Sequence, residues 1–261
     1  MRKNYKYIYG PVASWRLGKS LGVDAVSTGA KVCNFDCIYC QIGEAEQFSG
    51  ERKVFIPTKE IISEIKSLPS NMRIDYITFS GAGEPTLAKN LGRIITEIRK
   101  IRKEKIAVFT NSSLIYKKDV QKDLSLADFV SVKLDAHLQD LFSGINRPFG
   151  EKKITKIIEG IKKFKKIFKG KLTLQIMFVE GNRGDAASLA KIAKEINADE
   201  VQINTPLRPC GVKPLPPKEL DRIKQYFESM NYISAYSHTA VSCKVKAVKP
   251  VDKEATSRRG R

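Results

Sequence analysis

Residues 74–110 read IDYITFSGAGEPTLAKNLGRIITEIRKIRKEKIAVFT, and this stretch decides the fold class. Both of its ends, 74–80 and 105–110, are short runs rich in β-branched and aromatic side chains, the composition of strands. Between them, 88–103 places Leu91, Ile94, Ile95, Ile98 and Ile101 at helical spacing. A strand, a helix and a strand in such close succession form a βαβ unit, whose two strands run parallel.

The same alternation extends in both directions, with further strands expected at 23–30, 129–135, 172–179 and 200–205. Thr58 caps a helix TKEIISEIKSL. Segment 151–169 carries an apolar stripe of Ile154, Ile157, Ile158, Ile161, Phe164 and Phe168, with its lysines largely outside it. Further helices are expected at 184–196 and at 216–230, the second with Pro216 at its start. About six repeats fall short of a closed eightfold barrel, so the expected fold is α/β, a partial (β/α)6 TIM-like barrel of parallel strands with helices outside. Its expected divisions are an N-terminal extension 1–22, the barrel 23–215, a C-terminal helix and extension 216–243 packed on the barrel, and a basic, flexible tail 244–261.

A chain of 261 residues that is 42% hydrophobic can bury a core, which excludes wholesale disorder. No apolar run is long enough to span a membrane, and MRKNYKYIYG lacks the apolar centre of a signal peptide, so the expectation is a soluble cytoplasmic protein with no membrane partner. Lys plus Arg is 47 against 28 for Asp plus Glu, a net +19 that attracts RNA, DNA or phosphorylated substrates. Lysine-rich helix faces in heat-adapted proteins produce the same excess.

Three of the five cysteines lie in Cys33-Asn34-Phe35-Asp36-Cys37-Ile38-Tyr39-Cys40, a C-x3-C-x2-C spacing that suits metal binding in a reducing compartment. Soft thiolates select zinc or iron-sulfur clusters. Zinc needs a fourth ligand, here Cys210, Cys243, His137 or His238, whereas a 4Fe-4S cubane held by three thiolates keeps one iron open to a small molecule.

In parallel α/β folds ligands sit at the carboxyl ends of the strands. Those ends carry Ser80-Gly81-Ala82-Gly83-Glu84-Pro85, Asn111-Ser112-Ser113, Lys133 and Asp135, Gln175 and Met177, and Asn204-Thr205. Polar side chains buried there require partners, either a polar ligand or one another. Local turns at Asn111 and Ser112, an ion pair between Lys133 and Asp135, and Glu84 at a helix start are the structural alternatives. His137 and the loop EGNRGD (180–185) face either substrate or solvent.

With an aromatic residue, Tyr39, before its last cysteine, the triplet resembles the CxxxCxxC signature of the radical S-adenosylmethionine (radical SAM) superfamily, and GAGEP resembles that family's GGEP motif. The resemblance implies a 4Fe-4S cluster on Cys33, Cys37 and Cys40, with S-adenosyl-L-methionine as second cofactor. It implies cofactor contacts from Tyr39, Gly81, Gly83, Glu84 and Pro85, with Glu84 accepting from the methionine ammonium and Gly83 permitting close approach. Asn111, Ser112, Ser113, Lys133 and Asp135 become candidates for the ribose hydroxyls and the methionine carboxylate, and Gln175 for the same pocket. The implied activity is reductive cleavage of the sulfonium to methionine and a 5'-deoxyadenosyl radical, with a one-electron reductant as partner.

Residues Tyr9 to Asp24, with Trp15 where Arg is frequent, resemble the GPVxSRRLGxSLGVD opening of one radical SAM group, and Asn204 to Pro209 match it too. That group is distantly similar to tRNA wyosine synthases, which with the +19 charge implies an RNA substrate and tRNA modification. Wyosine enzymes carry extra cysteines upstream of the triplet, and none precedes Cys33 here. The other readings are an enzyme modifying or activating a protein or peptide partner, and a non-catalytic metal-containing RNA-binding protein. Cys210 and Cys243 are read as buried small residues, as ligands of a partial second cluster, or, for Cys210, as a hydrogen-atom donor.

Overall fold

The computed structural model describes residues 5–26, 29–44 and 47–236. The expected tail 244–261, Cys243 and His238 lie outside the described residues. Eight strands form the main sheet: β1 (Ile8–Ser14), β2 (Gly18–Val23), β5 (Tyr76–Phe79), β6 (Lys105–Thr110), β7 (Phe129–Lys133), β8 (Lys171–Met177), β9 (Glu200–Asn204) and β10 (Tyr232–Ser234), in that spatial order. A separate pair, β3 (Val32–Cys33) and β4 (Gln47–Phe48), lies between β2 and β5 in the chain. All neighbours in the main sheet are parallel except β1 and β2, which form an antiparallel hairpin.

The helices are α1 (Thr58–Lys66), α2 (Leu91–Ile101), α3 (Lys118–Leu124), α4 (Gln139–Asn146), α5 (Ile154–Ile167), α6 (Ala186–Ile196) and α7 (Pro217–Gln225). This is the expected α/β partial barrel, with two departures at its edges. The expected extension 1–22 supplies β1 and β2, and the strand expected at 23–30 ends at Val23. The reason is Asp24, whose carboxylate accepts from the Val26 and Ala82 backbone N–H groups and turns the chain off the sheet. At the other edge β10, only three residues long, joins β9 in parallel beyond the six expected strands.

One face of the sheet is sealed by helices. Ile77 and Phe79 of β5, Ile106 and Val108 of β6, and Leu172, Leu174 and Ile176 of β8 are fully buried in one continuous cluster with α2 and α5. The stripe of α5 enters it as Ile154, Ile157, Ile161 and Phe164, while Lys156, Lys163 and Lys166 stay exposed. Each such side chain contributes about 1.5–3 kcal/mol of burial. The opposite, inner face alternates in register and is largely polar: Ser131, Thr173 and Glu200 form one layer with Phe109 across β6 to β9, and Lys133, Gln175 and Gln202 the next. Among the described residues no helix is long and apolar enough to cross a membrane.

Candidate active site

The glycines of the turn after β5 answer to the chain itself. Val32 N–H donates to the Ala82 carbonyl (2.9 Å), and Glu84 N–H donates to the Val32 carbonyl (3.0 Å). A Cβ on Gly83 would overlap that Val32 oxygen, so only glycine lets β3 lie on the turn. Gly81 has φ +150° and faces Asp24. The GAGEP turn and the first cysteine are thereby one hydrogen-bonded unit.

Glu84 is tied into the fold. It is buried, its Oε1 accepts from Thr86 N–H (3.0 Å), Thr86 Oγ1 (2.6 Å) and Thr110 Oγ1 (2.7 Å), and its Oε2 accepts from Asn111 N–H (2.6 Å). Burial raises its pKa even against these donors. The carboxylate clamps the ends of β5 and β6 together, and Oε2 carries the single donor from Asn111. Pro85 is likewise structural, opening a buried 3-10 turn, Pro85–Leu87.

Cys33 leaves β3 paired with Phe48, and its Sγ accepts from Phe35 N–H (3.5 Å) and Asn111 Nδ2 (3.6 Å). Cys37 Sγ accepts from Asn146 Nδ2 at 3.5 Å, and Cys40 N–H closes a turn onto the Cys37 carbonyl at 2.9 Å. Burial pushes the Cys33 thiol up to about 12, helped by the Glu84 charge, and the Cys37 thiol up to about 11. Lys31 offsets this negative surrounding: its ammonium is buried beside Cys40, donating to the Gly43 carbonyl (2.5 Å) with Asp36 at 3.4 Å.

The loop's anchor is Tyr39. Its hydroxyl donates to Asp135 Oδ2 and receives Asn146 Nδ2 at 3.0 Å, and the Asp135 charge and burial hold its pKa well above the usual phenol. Asp135 also takes Asn146 Nδ2 (2.8 Å) and Met177 N–H (2.7 Å). Tyr39 and Asp135, expected as direct cofactor contacts, also anchor the loop, because a buried carboxylate must be hydrogen-bonded. Ser112 and Ser113 are tied to the chain in the same way. Ser112, at φ 68°, accepts Lys133 N–H (2.8 Å), and Ser113 exchanges hydrogen bonds with the Asn34 amide at 2.7 and 3.0 Å.

Lys133, Gln175 and Asn111 remain half-open at the strand ends. Lys133 Nζ lies 4.0 Å from Asp135 and 4.8 Å from the Tyr39 ring, loosely held and suited to a carboxylate. Sequence reasoning missed Asn34, Asn146 and Lys31. Asn34 and Asn146 are buried amides whose importance lies in contacts across the chain, for which no local pattern exists.

The donor set fits a cluster better than a single ion. All three thiols are free and half-buried, and two carry N–H donors of the kind that tune cluster sulfurs. Tetrahedral zinc would draw its ligands to within about 4 Å of one another. Among the described residues no three His, Cys, Asp or Glu side chains gather closely enough to hold one ion. His137 instead meets Asp185 (2.7 Å), and the Cys210 thiol donates to the Val212 carbonyl (3.2 Å). Cys210 packs against the small apolar cluster of Tyr39, Ile145, Met177 and Val179.

The chain belongs to the radical SAM superfamily, whose family model matches residues 29–190. Within it the chain is 41% identical over 216 residues to a UPF0026 protein of Synechocystis, covering 82% of this chain and 80% of that one. It is 36% identical to a UPF0026 protein of Methanocaldococcus jannaschii, covering 86% and 71%. A probable GTP 3',8-cyclase of Saccharolobus islandicus is 29% identical, covering 84% and 68%. The fold is shared with Streptococcus suis SuiB bound to S-adenosylmethionine at TM-score 0.62 and 16% identity, over 81% of this chain and half of SuiB. Similarity to wyosine synthases is not among these findings. Membership makes the protein a radical SAM enzyme with a 4Fe-4S cluster and S-adenosylmethionine as cofactors.

Proposed function

We propose that this enzyme uses radical SAM chemistry to modify RNA, with a tRNA nucleoside as substrate. The observation that carries the chemical half is the single hydrogen-bonded unit joining Cys33, Val32 and the GAGEP turn at the carboxyl end of the sheet. When bound, the cluster and S-adenosylmethionine supply an electron and a carbon radical that abstracts a substrate hydrogen. This chain's own residues do the rest. Cys33, Cys37 and Cys40 hold the cluster; Tyr39, Asn146 and Asn34 fix their loop; Lys133 offers a cation to the cofactor's carboxylate. Cys210, packed on the cluster that contains Tyr39, is a candidate hydrogen-atom donor, a role that full turnover in Cys210→Ala would exclude.

The substrate half rests on the net charge of +19, which favours a polyanion. The test is to compare modified nucleosides in bulk tRNA from cells with and without the gene, together with salt-dependent tRNA binding. Loss of one nucleoside and a steep fall of affinity with salt are expected; unchanged tRNA and salt-insensitive binding would redirect the substrate to a protein or peptide partner.

A further inference from the structure

The hairpin turn between β1 and β2 carries Trp15 and Arg16, and Arg16 is directed into the barrel. Its guanidinium stacks 4.1 Å above the Trp15 ring and lies 5.7 Å from Phe109, an inner-face residue of β6. It also feels the charge of Glu200, on the inner face of β9 across the lumen. Phe109 and Glu200 belong to one layer, so Arg16 occupies the space between them.

A guanidinium in such a place requires an anion in contact, and among the described residues Glu200 acts on it only from beyond ion-pair distance. Arg16 forms no ion pair within 4 Å, and its Nε is buried without a partner. Glu200, the nearest acid, is already bound to Lys171 Nζ (2.8 Å) and Gln202 Nε2 (3.0 Å). The hydroxyls of Ser131 and Thr173 in the same layer lack partners too. A second cation, the exposed Arg208 on the loop after β9, approaches closely enough to repel Arg16. Burial and this repulsion bring the Arg16 pKa down to about 10, still charged at neutral pH. Two guanidiniums within electrostatic range of each other beside a polar lumen are suited to carboxylate or phosphate recognition.

We propose that Arg16 and Arg208 form an anion site in the barrel lumen that receives a phosphate or carboxylate group of the substrate. The inference rests on the reading that the substrate enters the lumen of a radical SAM barrel, and adds that it carries an anionic group there. Trp15 is the chain's single tryptophan, so its fluorescence reports directly on this site.

The experiment titrates the cluster-loaded full chain, without oxygen and at low salt, with inorganic pyrophosphate and separately with succinate. A saturable change in Trp15 emission is expected for at least one of them, and the preferred anion tells phosphate from carboxylate. Arg16→Gln should weaken binding about tenfold or more, Arg208→Gln several-fold, and Arg222→Gln, on the exposed face of α7, not at all. Arg208→Gln lies on an exposed loop and carries the test if Arg16→Gln misfolds. No saturable change with either anion, or equal binding in Arg208→Gln and the parent, would overturn the site. S-adenosylmethionine cleavage by the same samples separates the two ideas: a parent that cleaves the cofactor but binds neither anion refutes the site alone.

Discussion

The two faces of the parallel sheet are built on opposite principles. On the outer face Ile77, Phe79, Val108, Val130 and Leu174 pack against helices with no polar atom to satisfy, and the surface they bury is the main source of stability. On the inner face Ser131, Thr173, Gln202 and Asn204 are equally buried yet retain polar atoms without partners. Each such group costs about 1–3 kcal/mol unless water or a ligand meets it. One face holds the fold; the other keeps polar atoms free to meet water or a ligand.

This contrast can be broken from either side. The largest loss is expected for Phe79→Ala on the outer face, about 3–5 kcal/mol by denaturant titration of the full chain. Gly83→Ala, where the two motifs meet, should cost about 1–3 kcal/mol by displacing β3, and also lower the iron bound per chain. Gly144→Ala, on α4 with open space around it, should leave iron binding unchanged and serves as control. If both variants load iron equally, the coupling between turn and cysteine strand is wrong. Tyr39→Phe should cost about 1–2 kcal/mol and slow cofactor cleavage, because Asp135 loses a donor in a buried site. Thr173→Val, on the inner face, should not lower stability and should raise it by up to about 1–3 kcal/mol, since it removes a buried hydroxyl that has no partner. A loss there as large as that of Phe79→Ala would erase the distinction between the faces.

Legibility in the sequence follows the same division. The outer face was readable because its apolar side chains recur with strand and helix periods, and α2 and α5 fall where Leu91–Ile101 and Ile154–Phe168 place them. The three cysteines and GAGEP were readable as spacing. What they touch was not: that Gly83 admits the Val32 carbonyl, or that Tyr39 is tied to Asp135, 96 residues away, depends on contacts with no local signature. The β1–β2 hairpin was missed because Gly18 and Gly22 weaken the strand pattern in GKSLGV, while the apolar VDAVSTGA drew the reading past Asp24. Strand β10 was missed because three residues give no period to detect.

The central claim is that Cys33, Cys37 and Cys40 hold a cluster whose open iron meets S-adenosylmethionine. Electron paramagnetic resonance of the anaerobically reconstituted, reduced protein, with and without S-adenosylmethionine, tests it most directly. A cubane signal that changes shape when the cofactor is added, and that is absent from Cys37→Ala, is the expected result. A silent sample holding one tetrahedral zinc per chain would contradict it.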